Sequence, residues 1–392
     1  MSFSGCLQVP HFIDYTILEF NSKIVFLLVQ AQEELRLLAG QFRAVAVVGP
    51  RQSGKTTLVR MTFPDKEYVS LENPDTRNFA LEDPRGFLAG FSDGAILDEN
   101  AICGRFILTG SNNFLLQENI SQSLAGRVGY LFLLPLSLGE LPNSDLPVND
   151  LLYKGFYPAL HNDETEAETS RYFANYIRTY VERDVRLIRN ITNLTSFECF
   201  LRLCAGRIGQ LLNMSNLAVE TGVDNKTIAA WLSVLEASFI VFRLQPYHKN
   251  FNKRIVKIPK LYFYDTGLAS ALLGIENANQ LKLHPLRGAL FENMIVVDFL
   301  KNRYNQGKLS NLYFWRDSLG REVDLLLENQ DGLVPIEIKS GQTITNDYFG
   351  SLTEWLKISG EERGWIIYAG DSKQVRSSGI TVVPYREAAG QI

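Results

Sequence analysis

Ala44-Val45-Ala46-Val47-Val48, followed without a break by Gly49-Pro50-Arg51-Gln52-Ser53-Gly54-Lys55-Thr56, is the stretch on which the fold turns. A run of small and β-branched apolar residues reads as a strand buried on both faces, as strands of parallel sheets are. The next eight residues match the pattern GxxxxGK[ST]. In that pattern the glycines let backbone N–H groups curl around phosphates, Lys55 reaches the β and γ oxygens, and Thr56 offers its hydroxyl to Mg²⁺. A helix beginning near Lys55, with Thr57 in its first turn, would point its positive dipole end at the anion. The implied ligands are ATP and Mg²⁺. The bland alternative is a glycine-rich turn that holds nothing.

Outward from this loop, Tyr68–Leu71, Ala95–Leu97 and Phe106–Leu108 read as further buried strands of a parallel α/β sheet. The strand at Ala95 runs into Asp98-Glu99. Asp98 would hold Mg²⁺ through water and Glu99 would activate the attacking water. A solvated acidic loop is the competing reading. Thr109-Gly110-Ser111-Asn112 ends the next strand, where open α/β sheets bind ligands, and Ser111 is a candidate nucleotide contact. Arg127 suits an arginine finger acting on a neighbouring subunit of a homo-oligomer, and suits a plain surface arginine equally well.

The chain has 392 residues, enough for two or three domains. A net charge of −4 excludes a general polyanion binder, so any nucleic-acid role must rest on a local basic region. Four scattered cysteines without a CxxC pair argue against a zinc site and a disulfide framework, and fit a reducing cytoplasm. The apolar run Ile24–Val29 is too short to span a bilayer, so no membrane role is expected. The sequence contains no internal repeat.

From Glu166 to about Leu244 apolar residues recur at helical spacing. Leu217, Ala218, Gly222, Val223, Ile228, Trp231 and Leu232 suit two short helices joined at Gly222, with Asp224 or Asn225 capping the second. Phe239–Leu244 and Leu261–Tyr264 would then be the strands of a wing. Between Arg171 and Lys260 stand fourteen Arg and Lys against six Asp and Glu. That excess tilts the reading toward phosphate contacts to DNA, so a protein that acts on DNA or is regulated by it is expected; the alternative is a packing or oligomer module with a solvated charged face. Tyr262, Phe263, Tyr264 and Phe291 sit at core spacing and read as packing residues.

The last region, from about Arg287, reads as a small α/β domain. It begins with a helix through Phe291–Phe299. Strands follow at Leu312–Trp315, Glu322–Leu327 and Val334–Ile338, then a helix bearing Trp355, and a final strand at Trp365–Tyr368. Glu337 and Lys339 lie two apart on a strand and share a face. Asp324 sits inside the apolar run Val323–Leu326, where an acid is costly without a metal or a partner.

Taken in order, GPRQSGKTTL, YVSLENPD, AILDE, FILTGSNNFLL, SLAGRVGYLFLLPLSLGEL, YVERDV, LYFYDTGLAS, LRGALFENMIV, EVDLLL and IEIKSG resemble the AAA-type ATPases that carry a C-terminal DUF4143 domain. The resemblance implies an α/β protein in four parts. These are an extension (1–41), a P-loop ATPase domain (42–150), a winged-helix middle (151–285) and a PD-(D/E)xK, restriction-endonuclease-like domain (286–392). It further implies that Asp324 and Glu337 bind Mg²⁺, that Lys339 positions or activates water, and that Glu292 completes the metal shell. The rival reading is a nucleotide-binding regulatory module with an inactive nuclease fold. One departure matters: family members carry a longer stretch, with a helix, where only Asn100–Gly104 separate Glu99 from Arg105. Three outcomes are open: a rearranged sheet, shortened strands, or a truncated copy.

Overall fold

The computed structural model describes residues 29–91, 94–98, 106–110, 128–142, 145–161, 168–180, 193–247 and 257–392. β1 (Ala44–Val48), β2 (Glu67–Ser70), β3 (Ala95–Asp98), β4 (Phe106–Gly110) and β5 (Val128–Phe132) form one sheet in the order β2-β3-β4-β1-β5. Every neighbouring pair is parallel. β1 and β4 are buried at every residue because both faces of the sheet are covered. The helix Val29–Gln41, inside the expected extension, packs against β1, β5 and the helix Lys55–Thr62. Strand order reverses about β1, which opens a crevice at its carboxyl end.

The short connection after Glu99 has not rearranged the sheet. β3 pairs with β4 in parallel, Ile96 opposite Ile107 and Asp98 opposite Thr109. β3 has only four residues, and residues 99–105 join it to β4. Returning along so short a strand covers about 10 Å, and the seven linking residues reach roughly 23 Å when extended. Parallel pairing therefore survives a link shorter than the roughly twelve residues of a helical crossover. Of the three outcomes, the one set aside is the rearranged sheet.

The middle contains helices Val148–Lys154, Thr169–Thr179, Leu194–Ala205, Met214–Thr221 and Asn225–Ala237. Gly222 joins the last two in a left-handed conformation, φ 71°, which a side chain rarely adopts. Asp224, not Asn225, caps the second helix, accepting from the Thr227 N–H at 2.9 Å. β6 (Val241–Leu244) and β7 (Lys260–Phe263) then pair antiparallel, the first trimmed by two residues and the second shifted by one from the expected strands.

His161 titrates within this region. Its Nε2 donates to Gly155 O at 2.7 Å. Burial pulls its pKa from 6.5 to about 4, against the Gly155 bond and helped by the nearby cations Lys154 and Lys301. Since the folded value lies below the unfolded one, this stability is complete above about 6.5 and lost as pH falls toward 4. Its upper bound is about 3 kcal/mol. Denaturation midpoints are expected to fall between pH 7 and pH 5, and to fall less in His161→Gln. Parallel declines in both proteins would remove His161 as the cause.

The helix Arg287–Asn305 is longer than expected and buried almost all round, as a central rather than a surface helix is. It contacts β5, β7, the helices Val29–Gln41 and Val148–Lys154, and the C-terminal sheet. That sheet contains β8 (Leu312–Arg316), β9 (Glu322–Asn329), β10 (Gly332–Lys339), β11 (Gly364–Tyr368), β12 (Gln374–Val375) and β13 (Ile380–Pro384). Their order is β12-β13-β11-β10-β9-β8. β11, expected to be last, is followed by β13, which pairs with it in parallel. The middle is stitched to this sheet: Tyr247 N–H donates to Phe314 O at 2.8 Å, and Phe314 N–H to Gln245 O at 3.2 Å.

Candidate active site

Gln52 and Gly54 take left-handed backbone, φ 60° and 92°, and curl the segment Gly49–Gly54 into a loop between β1 and the helix Lys55–Thr62. Gly49 is obligatory because a Cβ there would stand 2.0 Å from Leu133 O. The Lys55 ammonium donates to Gly49 O at 3.1 Å and Pro50 O at 2.6 Å, folded over the loop. No side chain caps this helix, whereas Asn73, Asp83, Asn193, Asn213, Asp224 and Asp265 each cap theirs. Several other helices are also uncapped, but here the free N–H groups open onto the glycine loop, where an anion would meet them. The Ser53 hydroxyl is buried without a hydrogen-bond partner. An uncapped helix, an orphan hydroxyl and a lysine over the loop fit a polyphosphate with its Mg²⁺.

Asp98 is level with Thr109, and Thr109 with Val47. The backbone of Asp98 therefore stands at the same sheet edge as the loop, two strands and about 10 Å across from β1. Arg51 and Pro50 belong to the same loop, and Thr56 and Thr57 are half-buried in the first helical turn. Glu99, Ser111 and Arg127 lie outside the described residues.

The C-terminal candidates come together. Asp324 on β9 and Glu337 on β10 fall opposite each other when the strand register is continued. Asp324 Oδ2 accepts from the Ile338 N–H at 2.8 Å, and Lys339 Nζ pairs with Glu337 Oε1 at 2.6 Å. Lys339 thus holds Glu337, not Asp324. Burial, then Glu337 and Glu292, push Asp324 well above the usual carboxylate range, with Lys260 and Lys339 opposing. Burial also raises Glu337, against the pull of Lys339. Glu292 faces this cluster from the helix Arg287–Asn305, accepting from Tyr262 OH at 2.5 Å and pairing with Lys260 Nζ at 3.0 Å. Tyr262 is core, as expected, and also a donor to a site residue. Lys260 went unnoticed because a lysine before an apolar strand reads as solvated.

A second polar cluster was also missed. Asp298, Lys301 and Asn305 sit along one side of the helix Arg287–Asn305 and grip the chain leaving β5. Asp298 Oδ1 accepts from the Leu138 N–H at 2.6 Å. Lys301 Nζ donates to Leu136 O at 2.7 Å and lies 4.1 Å from the Phe156 ring centroid. Asn305 donates to Glu140 Oε1 at 3.1 Å. The gripped segment begins at Leu133, which donates to Val48 O and crowds Gly49. The only sequence signal was polar residues at helical spacing inside an apolar helix.

The family profile described as AAA domain matches residues 41–103 and 95–142, two stretches that overlap at the short connection. Residues 147–279 and 287–388 match two domains of unknown function, DUF8612 and DUF4143. Proteins of Mycobacterium bovis and Mycobacterium tuberculosis, both described as uncharacterized, are 27% identical over 96% of this chain and 88% of theirs. A Haemophilus influenzae protein is 22% identical over 59% of this chain and 58% of its own. Among solved structures, the Walker-type ATPase paby2304 of Pyrococcus abyssi overlays 62% of this chain and 94% of its own. Its TM-score is 0.41 and its identity 14%, so the overlay lends nothing to the assignment. The AAA-domain match falls on the strands that carry the phosphate loop. Residues 41–142 are accordingly similar to an AAA domain, and the phosphate loop they carry makes the chain a nucleotide-binding ATPase. No helix among the described residues is long and apolar enough to cross a membrane.

Proposed function

We propose that this ATPase is a nucleotide-operated switch whose P-loop state is passed to the C-terminal domain. The observation that carries the reading is the grip of Asp298 and Lys301 on Leu138 and Leu136, in the segment that starts against Gly49. In this reading Gly49–Thr57 hold the nucleotide, Thr56 and Asp98 hold Mg²⁺, and Glu99 activates water. Ser111 touches the nucleotide, and Arg127 serves a phosphate of a neighbouring subunit. Bound Mg²⁺ supplies charge neutralisation on the transferred phosphoryl group.

The middle is read as a winged helix used for packing and partner binding. The turn at Gly222 and the β6–β7 hairpin support that fold. DNA is not the partner favoured. On the two helices around the turn, Lys226 stands against Glu220 and Glu236. Arg207 and Arg243 are already paired with those two glutamates, and Lys260 is buried. The C-terminal region is read as a nuclease-like fold, supported by Asp324 and Glu337-x-Lys339 on adjacent strands beside the helix that bears Glu292.

Exchanging ADP for ATP is expected to change amide hydrogen exchange in both Leu133–Leu141 and Arg287–Asn305 of the full chain. Change confined to the P-loop would refute the transmission. No change anywhere, with ATP bound, would refute the switch.

A further inference from the structure

Lys260 opens β7, yet its side chain is 2% exposed. The ammonium crosses from the middle into the C-terminal cluster, 3.0 Å from Glu292 Oε1 and 2.5 Å from Glu322 Oε1. Lys339 holds Glu337 at 2.6 Å. Carboxylates of Glu292, Glu322, Asp324 and Glu337 thus share two fixed ammonium groups and the hydroxyl of Tyr262. The Phe314 ring, 5.5 Å from Lys260 Nζ, helps wall the ammonium in.

A divalent ion needs several oxygens converging at about 2.0–2.6 Å. Among the described residues no three His, Cys, Asp or Glu side chains converge so. The carboxylates are turned to lysines instead, and a dication placed among them would meet a buried monocation within a few ångströms. In a poorly screened interior that repulsion is large. The Mg²⁺ implied by the family resemblance therefore does not fit while Lys260 is in place.

We propose that Lys260 is a built-in cation that takes the place of the divalent metal, so that the nuclease-like cluster is closed by the chain's own hairpin and serves as a strut between the middle and the C-terminal sheet. Glu337 Oε2, buried and without a hydrogen-bond partner, is the unused acceptor that remains for a metal once the ammonium is gone. The proposal does not depend on how the P-loop works.

The test uses the nucleotide-free full chain and Mn²⁺ as probe, followed by calorimetry and melting temperature. Lys260→Met keeps the length of the side chain and removes the charge. It is expected to gain a saturable Mn²⁺ site that Asp324→Asn abolishes again. Mn²⁺ at about 100-fold its dissociation constant should raise the melting temperature of K260M by roughly 3 °C and leave the wild type unmoved. A K260M chain that folds and binds no Mn²⁺ overturns the proposal. Should K260M not fold, wild type against D324N decides. A Mn²⁺ site, or Mg²⁺-dependent plasmid nicking, that is present in the wild type and lost in D324N overturns the proposal. Equal behaviour of the two upholds it.

Discussion

Replacing Lys55 with alanine is expected to lower ATP-dependent phosphate release by roughly 100-fold or more, the usual cost of losing one fixed donor to a developing oxyanion. The fold should tolerate the change. Lys55 donates to Gly49 O and Pro50 O, two carbonyls of the loop itself, while β1 and the helix Lys55–Thr62 keep their own backbone bonds. Melting temperature should therefore stay within a few degrees of wild type while turnover collapses. Phosphate release that is equal in both proteins would mean that the loop is not the seat of hydrolysis. The result also bears on the shortened link between β3 and β4. The register keeps the Asp98 backbone at the sheet edge with the loop, so measurable wild-type turnover is expected in spite of the missing helix.

The second large effect is on stability. Lys301→Met is expected to destabilise the chain by about 3–5 kcal/mol, the cost of breaking a buried charge network by removing one partner. Burial pulls Lys301 down to about 8 although Asp265, Asp298 and Glu140 act to raise it. Burial also raises each of those three acids. All the charges are strained by desolvation, and each of the acids is eased by Lys301 as well as by its own hydrogen bonds. Without the ammonium three buried carboxyl groups lose their cation and Leu136 O loses its donor. The melting temperature should drop by roughly 5 °C. Adding Asp298→Asn to the variant should restore part of the loss, since one uncompensated acid disappears. A drop of under about 2 °C would show that water or neighbouring groups replace the lysine, and the grip on β5 would lose its energetic basis.

Much of the nucleotide domain was legible before any coordinates. Val45–Val48 could only be a doubly covered strand, and the glycines of the loop announced the phosphate site through backbone geometry that few other residues reach. The helix-turn-helix was legible for a similar reason: Gly222 and Asp224 are local signals, one for left-handed backbone and one for an N-cap. Local rules reach a few residues along the chain. Strand ends strayed by a residue or two, and β13 was missed, because its alternation is interrupted by a turn-rich approach.

What the sequence alone determined is therefore the phosphate loop, the class of its sheet and the identity of the residues that could do chemistry. What only the tertiary structure decided is which charges meet. Lys260 and Glu322 lie 2.5 Å apart, yet far apart in sequence, and Leu136 meets Lys301 across a still longer stretch of chain. Pairings of that kind are set by how the helix Arg287–Asn305 packs between three parts of the chain, and no spacing along the sequence encodes them. The same packing sets Glu292 and Glu322 against Lys260, beside the Glu337–Lys339 pair. The phosphate loop escapes that uncertainty because its ligand groups are its own backbone.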